Sequence, residues 1–261
     1  MQPDRRDLIN QASQPYRCAI VVMAKAPRSG HAKTRLVPPL DPDSAAALSA
    51  AFLRDTTGNI ALAAQGTPVE GYIAYAPAGT ERLFDGILEP GTQLLLADGS
   101  TPMPLGVQGL GRSLLHALEA ALSIGFPTAC LLNADGPTLP TELLRRAATL
   151  LAAPGDRIVL GPAEDGGYYL LGAKAPHVHL FEDIAWSTDQ VAAQTRARAR
   201  ALGVEVVELP FWYDVDDHAS LQRLLAELAR PADGPLAPYA APATADCVHR
   251  LNIAERLAAI R

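Results

Sequence analysis

Cysteine is scarce in this chain. There are three, Cys18, Cys130 and Cys247, far apart and odd in number, which argues against a disulfide framework or a cysteine zinc site. Cys18 and Cys130 sit inside apolar runs and read as small buried hydrophobes. An excess of positive charge is also missing: Asp and Glu outnumber Lys and Arg by 28 to 22, for a net charge of −6. A nucleic-acid backbone as main partner would ask for the opposite balance. No apolar stretch approaches the ~20 residues that span a bilayer, and Met1 to Gln14 has no apolar core of the signal-peptide kind. The expectation is therefore a cytoplasmic protein with no membrane and no nucleic-acid partner. The histidines show no helical metal-ligand spacing. No Gly-x-Ser-x-Gly elbow offers a nucleophilic serine, and no Walker loop is present.

What is present is an apolar fraction of 49% arranged in alternating strand-like and helix-like segments. Arg17–Ala24 is a continuous apolar run suited to a strand buried on both faces. Asp43–Gln65 reads as a helix that Asp41 or Asp43 can cap. Strands are expected at Val69–Ala76, Thr92–Ala97, Thr128–Asn133, Arg157–Leu160, Tyr168–Leu171 and Val204–Leu209. Helices are expected at Gly111–Ile124, Leu139–Leu151, Ser187–Leu202 and Asp217–Ala229. This order predicts an α/β fold, a mostly parallel sheet with helices on both faces. Ligands of such sheets gather at the carboxyl ends of the strands, where the loops after Ala24, Asn133 and Leu160 should lie. The domain is expected over 17–230, after a flexible segment 1–16. A Pro/Ala-rich linker over 231–243 follows, then an amphipathic helix from Thr244 to Arg261 that packs on its own domain or on a second copy in a homodimer.

Five clusters carry chemistry. Lys25 to Leu36 places Lys25, Arg28, Lys33 and Arg35 around Gly30, just after the first strand. Cations beside backbone N–H groups suit nucleotide phosphates, although a solvated loop has the same composition. Asp135, ending a buried strand, can hold a hard cation or cap the next turn. In Glu164-Asp165-Gly166-Gly167, the glycines permit a close backbone approach to a ligand, or Asp165-Gly166 forms a hairpin turn. Asp214, Asp216 and Asp217 repel one another unless solvated or neutralised by metal. Alternation puts Asp214 and Asp216 on one side as a second metal arm, while Asp217 can be a helix N-cap. Finally, Gln108-Gly109-Leu110-Gly111-Arg112 precedes a helix, where Gln108 could read a base edge and Arg112 a phosphate or carboxylate. Trp186-Ser187-Thr188 reads as a core aromatic followed by a helix cap.

Taken in order, these motifs resemble the bacterial DUF2064 family of the glycosyltransferase-A, or nucleotide-diphospho-sugar transferase, superfamily. The resemblance runs from about Arg17 to about Leu228. It rests on Ala24-Lys25-Ala26-Pro27 with Gly30 and Lys33-Thr34-Arg35-Leu36, on Gln108 to Arg112, on Asp135-x-Pro137-x-Leu139-Pro140, on Gly161 to Tyr168, on Trp186-Ser187-Thr188 and on Asp214-Val215-Asp216. It implies a Rossmann-like fold of that superfamily, phosphate contacts from Gly30, Lys33 and Arg35, and Mg²⁺ or Mn²⁺ on Asp135 and on Asp214 or Asp216. Gly136 stands where relatives are expected to carry serine. The stretch Lys33–Leu36 with Asp135-x-Pro137 is also similar to the phospholactate guanylyltransferases.

The expected nucleotide-binding residues are thus Lys25, Gly30, Lys33, Arg35, Gln108, Gly109, Arg112, Gly166 and Gly167. Lys33, Asp135 and Asp165 are the expected catalytic residues, and Asp135, Asp214 and Asp216 the metal ligands. The expected reaction joins a nucleoside monophosphate, taken from an NTP, to a small phosphorylated acceptor. Four cations exceed what the diphosphate of an NDP-sugar with a metal usually needs, which favours this over glycosyl transfer. A catalytically silent nucleotide binder is the third reading, disfavoured by so many uncompensated carboxylates.

Overall fold

A computed structural model describes residues 16–230 and 233–258. Seven strands form one sheet: β1 (Cys18–Lys25), β2 (Val69–Ala76), β3 (Gln93–Leu96), β4 (Thr128–Asn133), β5 (Arg157–Pro162), β6 (Tyr168–Ala173) and β7 (Glu205–Glu208). Their order is β3-β2-β1-β4-β6-β5-β7. Every pairing is parallel except those of β6, which runs against both β4 and β5. The mostly parallel sheet expected from the alternation of elements is therefore observed, with one reversed strand delivered by the β5–β6 hairpin.

Helices cover both faces. α1 (Pro42–Ala64) and α3 (Thr141–Ala152) pack on one side, where Leu53, Ile60, Leu143 and Leu144 meet Ile20, Val22 and Leu132. α2 (Leu110–Ser123) and α4 (Val191–Ala201) cover the other, with Leu114, Leu115, Leu118 and Ala192 against Val21, Leu131 and Leu171. Burial on both faces is why β1 and β4 read as unbroken apolar runs. Cys18 and Cys130 are wholly buried in neighbouring strands as free thiols.

Local chemistry sets the helix starts. Asp41 accepts from the Ser44 N–H at 2.8 Å and Pro42 fills the first position of α1. Asp217 and Ser220 form a reciprocal capping box at the head of α5 (His218–Ala229). The helix expected from Ser187 begins only at Val191, and neither Ser187 nor Thr188 caps it. Ser187 has a positive φ of 64°, and the Thr188 hydroxyl donates backwards to Ala185 O. Both are thereby kept in a loop rather than in the helix.

The C-terminal part departs from expectation in two ways. Its single helix is two, α6 (Pro242–Arg250) and α7 (Ile253–Ala258), broken where Asn252 takes a φ of 50°; residues 259–261 lie outside the described residues. The stretch before it is fastened rather than free: Tyr239 N–H donates to Thr138 O, and buried Asp55 accepts from Ala243 and Thr244 N–H at the start of α6. Burial raises the Asp55 carboxyl above its ordinary range despite these donors. Cys247, Ile253 and Leu257 join Leu48, Phe52, Leu221 and Leu224 in a third core between α1, α5, α6 and α7. The terminal helices thus pack on their own domain. The expected flexible segment falls on residues 1–15, outside the described residues, apart from Tyr16. Among the described residues no helix is long and apolar enough to cross a membrane.

Candidate active site

A cavity of about 720 Å³ opens at the carboxyl ends of β1 and β4, between the 25–35 loop and the 186–191 loop. Its position follows from the topology. β1 and β4 are adjacent with Met23 beside Asn133, so the loops that leave them share one rim. The hairpin after β5 turns back at the same rim and adds Asp165, and the return from β7 adds Asp214 and Asp216.

The cationic side comes from one loop. Lys25, His31, Lys33 and Arg35 line the cavity. Lys25 and Arg35 are exposed, and neither has a hydrogen-bonded or ion-paired partner among the described residues. Lys33 is different. Its Nζ donates to Asp135 Oδ1 at 2.5 Å, to Val215 O at 2.7 Å and to Asp216 Oδ1 at 3.1 Å. All three N–H groups of its ammonium are thus taken by protein oxygens.

The acidic side gathers Asp135, Asp165, Asp214 and Asp216. Asn133 Nδ2 donates to Asp214 Oδ1 at 2.5 Å. Burial first, and then the neighbouring charges of Asp135, Asp165 and Asp216, push the Asp214 carboxyl up to about 7 against the effect of Asn133. These donors are hard oxygens of the kind that Mg²⁺ and Mn²⁺ take, and Asp135 and Asp216 already converge on one cation, the Lys33 ammonium. The donor set fits a divalent ion in type. Among the described residues, however, no three His, Cys, Asp or Glu side chains are grouped as a finished metal site.

Several expected site residues serve the scaffold instead. Gly30 takes a φ of 74° in the turn where His31 and Ala32 N–H reach back to Arg28 O, and it does not line the cavity. Gln108 and Gly109 also lie off the wall, the Gln108 amide donating to Leu105 O. Arg112 directs its guanidinium to Gly99 O and Thr101 O, so it fastens the preceding loop rather than a ligand. Of that motif only Leu110 reaches the cavity. Gly111 makes room for the Trp186 indole, which lies 2.9 Å from where a Cβ would stand. Gly166 does the same for Asp189. Gly167 lines the cavity, and its N–H donates to Asp165 Oδ1 at 2.9 Å. Asp165-Gly166 is thus a hairpin turn as well as a wall. Glu164 turns outward to Arg223 at 2.7 Å.

Tyr168, Tyr169, Trp186, Ser187, Thr188 and Asp189, none of them among the expected site residues, also line the cavity. The Tyr168 hydroxyl is buried without a hydrogen-bond partner, and burial raises it. The positive φ of Ser187 was the missing signal, since no sequence pattern announces a non-glycine residue in that conformation.

The comparisons agree with this architecture. A crystal structure from Desulfovibrio desulfuricans G20, provisionally described as a nucleotide-diphospho-sugar transferase, is 26% identical over 93% of this chain and 97% of its own, with a TM-score of 0.74. CMP:2-keto-3-deoxy-manno-octonic acid synthetase complexed with CTP shares the fold at 14% identity over 82% of this chain and 99% of its own, TM-score 0.50. A nucleotidyl transferase from Methanothermobacter does so at 17% identity over 82% and 98%, TM-score 0.52. No curated protein matches the sequence. Residues 59–188 match the family described as "Uncharacterized protein conserved in bacteria (DUF2064)", and the chain has the fold of the Desulfovibrio structure.

Proposed function

We propose that this protein is a metal-dependent transferase that moves a nucleoside monophosphate from a nucleoside triphosphate to a small phosphorylated acceptor. The observation that carries the reading is the meeting of cations and carboxylates in one cavity. Lys25 and Arg35 line it without a hydrogen bond or close ion pair among the described residues, together with Asp135, Asp165, Asp214 and Asp216. Two exposed cations with no hydrogen bond or close ion pair among the described residues, at a strand-end cavity, offer a place for an anion.

In this reading an acceptor phosphate oxygen attacks the α-phosphorus, the bond to the bridging oxygen breaks, and pyrophosphate leaves. Lys25 and Arg35 bind the triphosphate and stabilise the charge that builds on the departing oxygens. Asp135, Asp216 and Asp214 are the residues that would hold Mg²⁺ or Mn²⁺, which supplies further neutralisation of the phosphate oxygens. Asn133 orients Asp214. Asp165, on the hairpin side, faces the acceptor. The 186–189 loop and Tyr168 form the wall against which the nucleoside or acceptor packs.

Glycosyl transfer from an NDP-sugar is the second reading, favoured by the description of the Desulfovibrio structure. Among the described residues the cavity lining also offers no Lys or Arg beyond Lys25, Lys33 and Arg35 to an acceptor phosphate. The deciding experiment incubates the protein with each NTP, Mg²⁺ and a panel of phosphorylated small acids. Pyrophosphate release supports nucleotidyl transfer. Silence there, with turnover of UDP- or GDP-sugars, assigns the second reading; calorimetric nucleotide binding without any turnover removes both.

A further inference from the structure

Lys33 is hidden where a charge is expensive to hide. Its side chain is 6% exposed, and burying an ammonium is unfavourable unless every donor is matched. Here every donor is. An ammonium has three N–H groups and no acceptor, and Nζ finds three oxygens: Asp135 Oδ1, Val215 O and Asp216 Oδ1. The Phe52 ring, 5.1 Å away, closes a further side. No donor remains for a phosphate. The three oxygens are two carboxylates and a backbone carbonyl, which are also the donors a hard divalent cation takes. Two cations compete for them, because like charges a few ångströms apart repel.

We propose that Lys33 is a resident counter-ion of the metal site. Its ammonium lies between Asp135 and Asp216, two of the acids that would hold the divalent ion, so lysine and metal compete for the same carboxylates. This inference rests on the metal-dependent reading above. Metal alone binds weakly, because it must turn a satisfied ammonium out of its place. Nucleotide phosphates give Lys33 a second anionic partner on the same loop as Lys25 and Arg35, so nucleotide and metal bind with positive coupling. Lys33 then acts first as a positioning residue for the carboxylates and becomes a phosphate ligand only in the loaded site. The carboxylate cluster is kept compensated in both states.

The test measures Mn²⁺ binding without nucleotide, by electron paramagnetic resonance of the free ion, on the wild type and on Lys33→Met. The variant keeps the apolar stem and removes the charge. Binding about tenfold or more tighter in the variant is expected, a factor usual for coupled sites; mere structural damage would not raise affinity. Equal or weaker Mn²⁺ binding by the folded variant overturns the proposal. Should Lys33→Met not fold, the wild type decides: amine-reactive labelling read by mass spectrometry should modify Lys33 several-fold faster at saturating Mn²⁺, with Lys174 as internal reference. An unchanged Lys33 rate overturns the proposal. A protein that releases pyrophosphate but fails these tests loses the counter-ion alone. One that passes them but turns over no nucleotide loses the reaction alone.

Discussion

The carbonyl oxygen of Asp189 lies 2.2 Å from where a Cβ on Gly166 would stand, so two segments of the cavity wall touch through a gap that only glycine leaves. Gly166 also has a φ of 88°, and its carbonyl accepts from Ala192 N–H at 3.0 Å. The hairpin and the head of α4 are thereby held as one surface. Gly166→Ala combines a backbone clash with an unfavourable φ, and a loss of about 2–4 kcal/mol is expected, read by urea denaturation. A variant as stable as the wild type would mean that the two segments part easily.

Lys25→Ala and Arg35→Ala are each expected to weaken triphosphate binding about tenfold, the scale of a hydrogen bond to a charged group, while nucleoside binding stays nearly unchanged. Isothermal calorimetry with NTP and nucleoside makes the comparison. Equal losses for the two ligands would remove the phosphate role.

Asp135→Asn keeps the size of the side chain but strips its charge from the group shared by Lys33 and any metal. At least about a hundredfold loss of kcat/KM is expected, comparable to deleting a transition-state electrostatic contact, with the fold retained by circular dichroism. Activity within a fewfold of wild type would displace Asp135 from the reaction.

Arg112→Ala should behave oppositely. Its guanidinium serves Gly99 O and Thr101 O, so the variant is expected to lose about 1–3 kcal/mol of stability. Nucleotide affinity of the folded fraction should hold. A selective loss of phosphate affinity with unchanged stability would restore the ligand role that the sequence suggested.

Asp41 gives a pH signature. The Ser44 backbone N–H and hydroxyl, and then Arg256, hold its carboxyl well below its ordinary 3.8. Because the folded value is depressed, the stabilisation is present above about 3.8 and fades as the pH falls towards the folded value. Asp41→Ala should therefore be less stable than wild type at pH 7, with the gap narrowing by pH 3 in paired urea titrations. A constant gap across that range would deny the charge any part in the cap.

The elements legible in the sequence were those with one dominant signal. β2 and β4 fall where their apolar runs end, and Asp41 and Asp217 cap as their type suggests. The clustering of Lys25, Lys33, Arg35, Asp135, Asp214 and Asp216 followed from strand-end topology, which alternation alone reveals. What was not legible depended on contacts between distant segments. Arg112 looks the same in sequence whether it meets a phosphate or two carbonyls. Gly166 signals an open backbone without saying that Asp189 fills the opening. Lys33 reads as a free cation because its partners lie 102 and 183 residues away. The late start of α4 had no marker either, since Ser187 and Thr188 are good capping types, yet Ser187 takes a positive φ and Thr188 donates back to Ala185 O.

β1 is an interior strand of the sheet, hydrogen-bonded to β2 on one side and β4 on the other, yet it lies before residue 59, where the family match begins. A fragment cut to residues 59–188 would leave two half-sheets with bare inner edges facing each other. It would also lack the loop bearing Lys25 and Arg35 and the arm bearing Asp214 and Asp216. Such a piece is expected to aggregate through those edges, so the smallest workable unit of this protein has to begin upstream of Cys18 and extend through the third core.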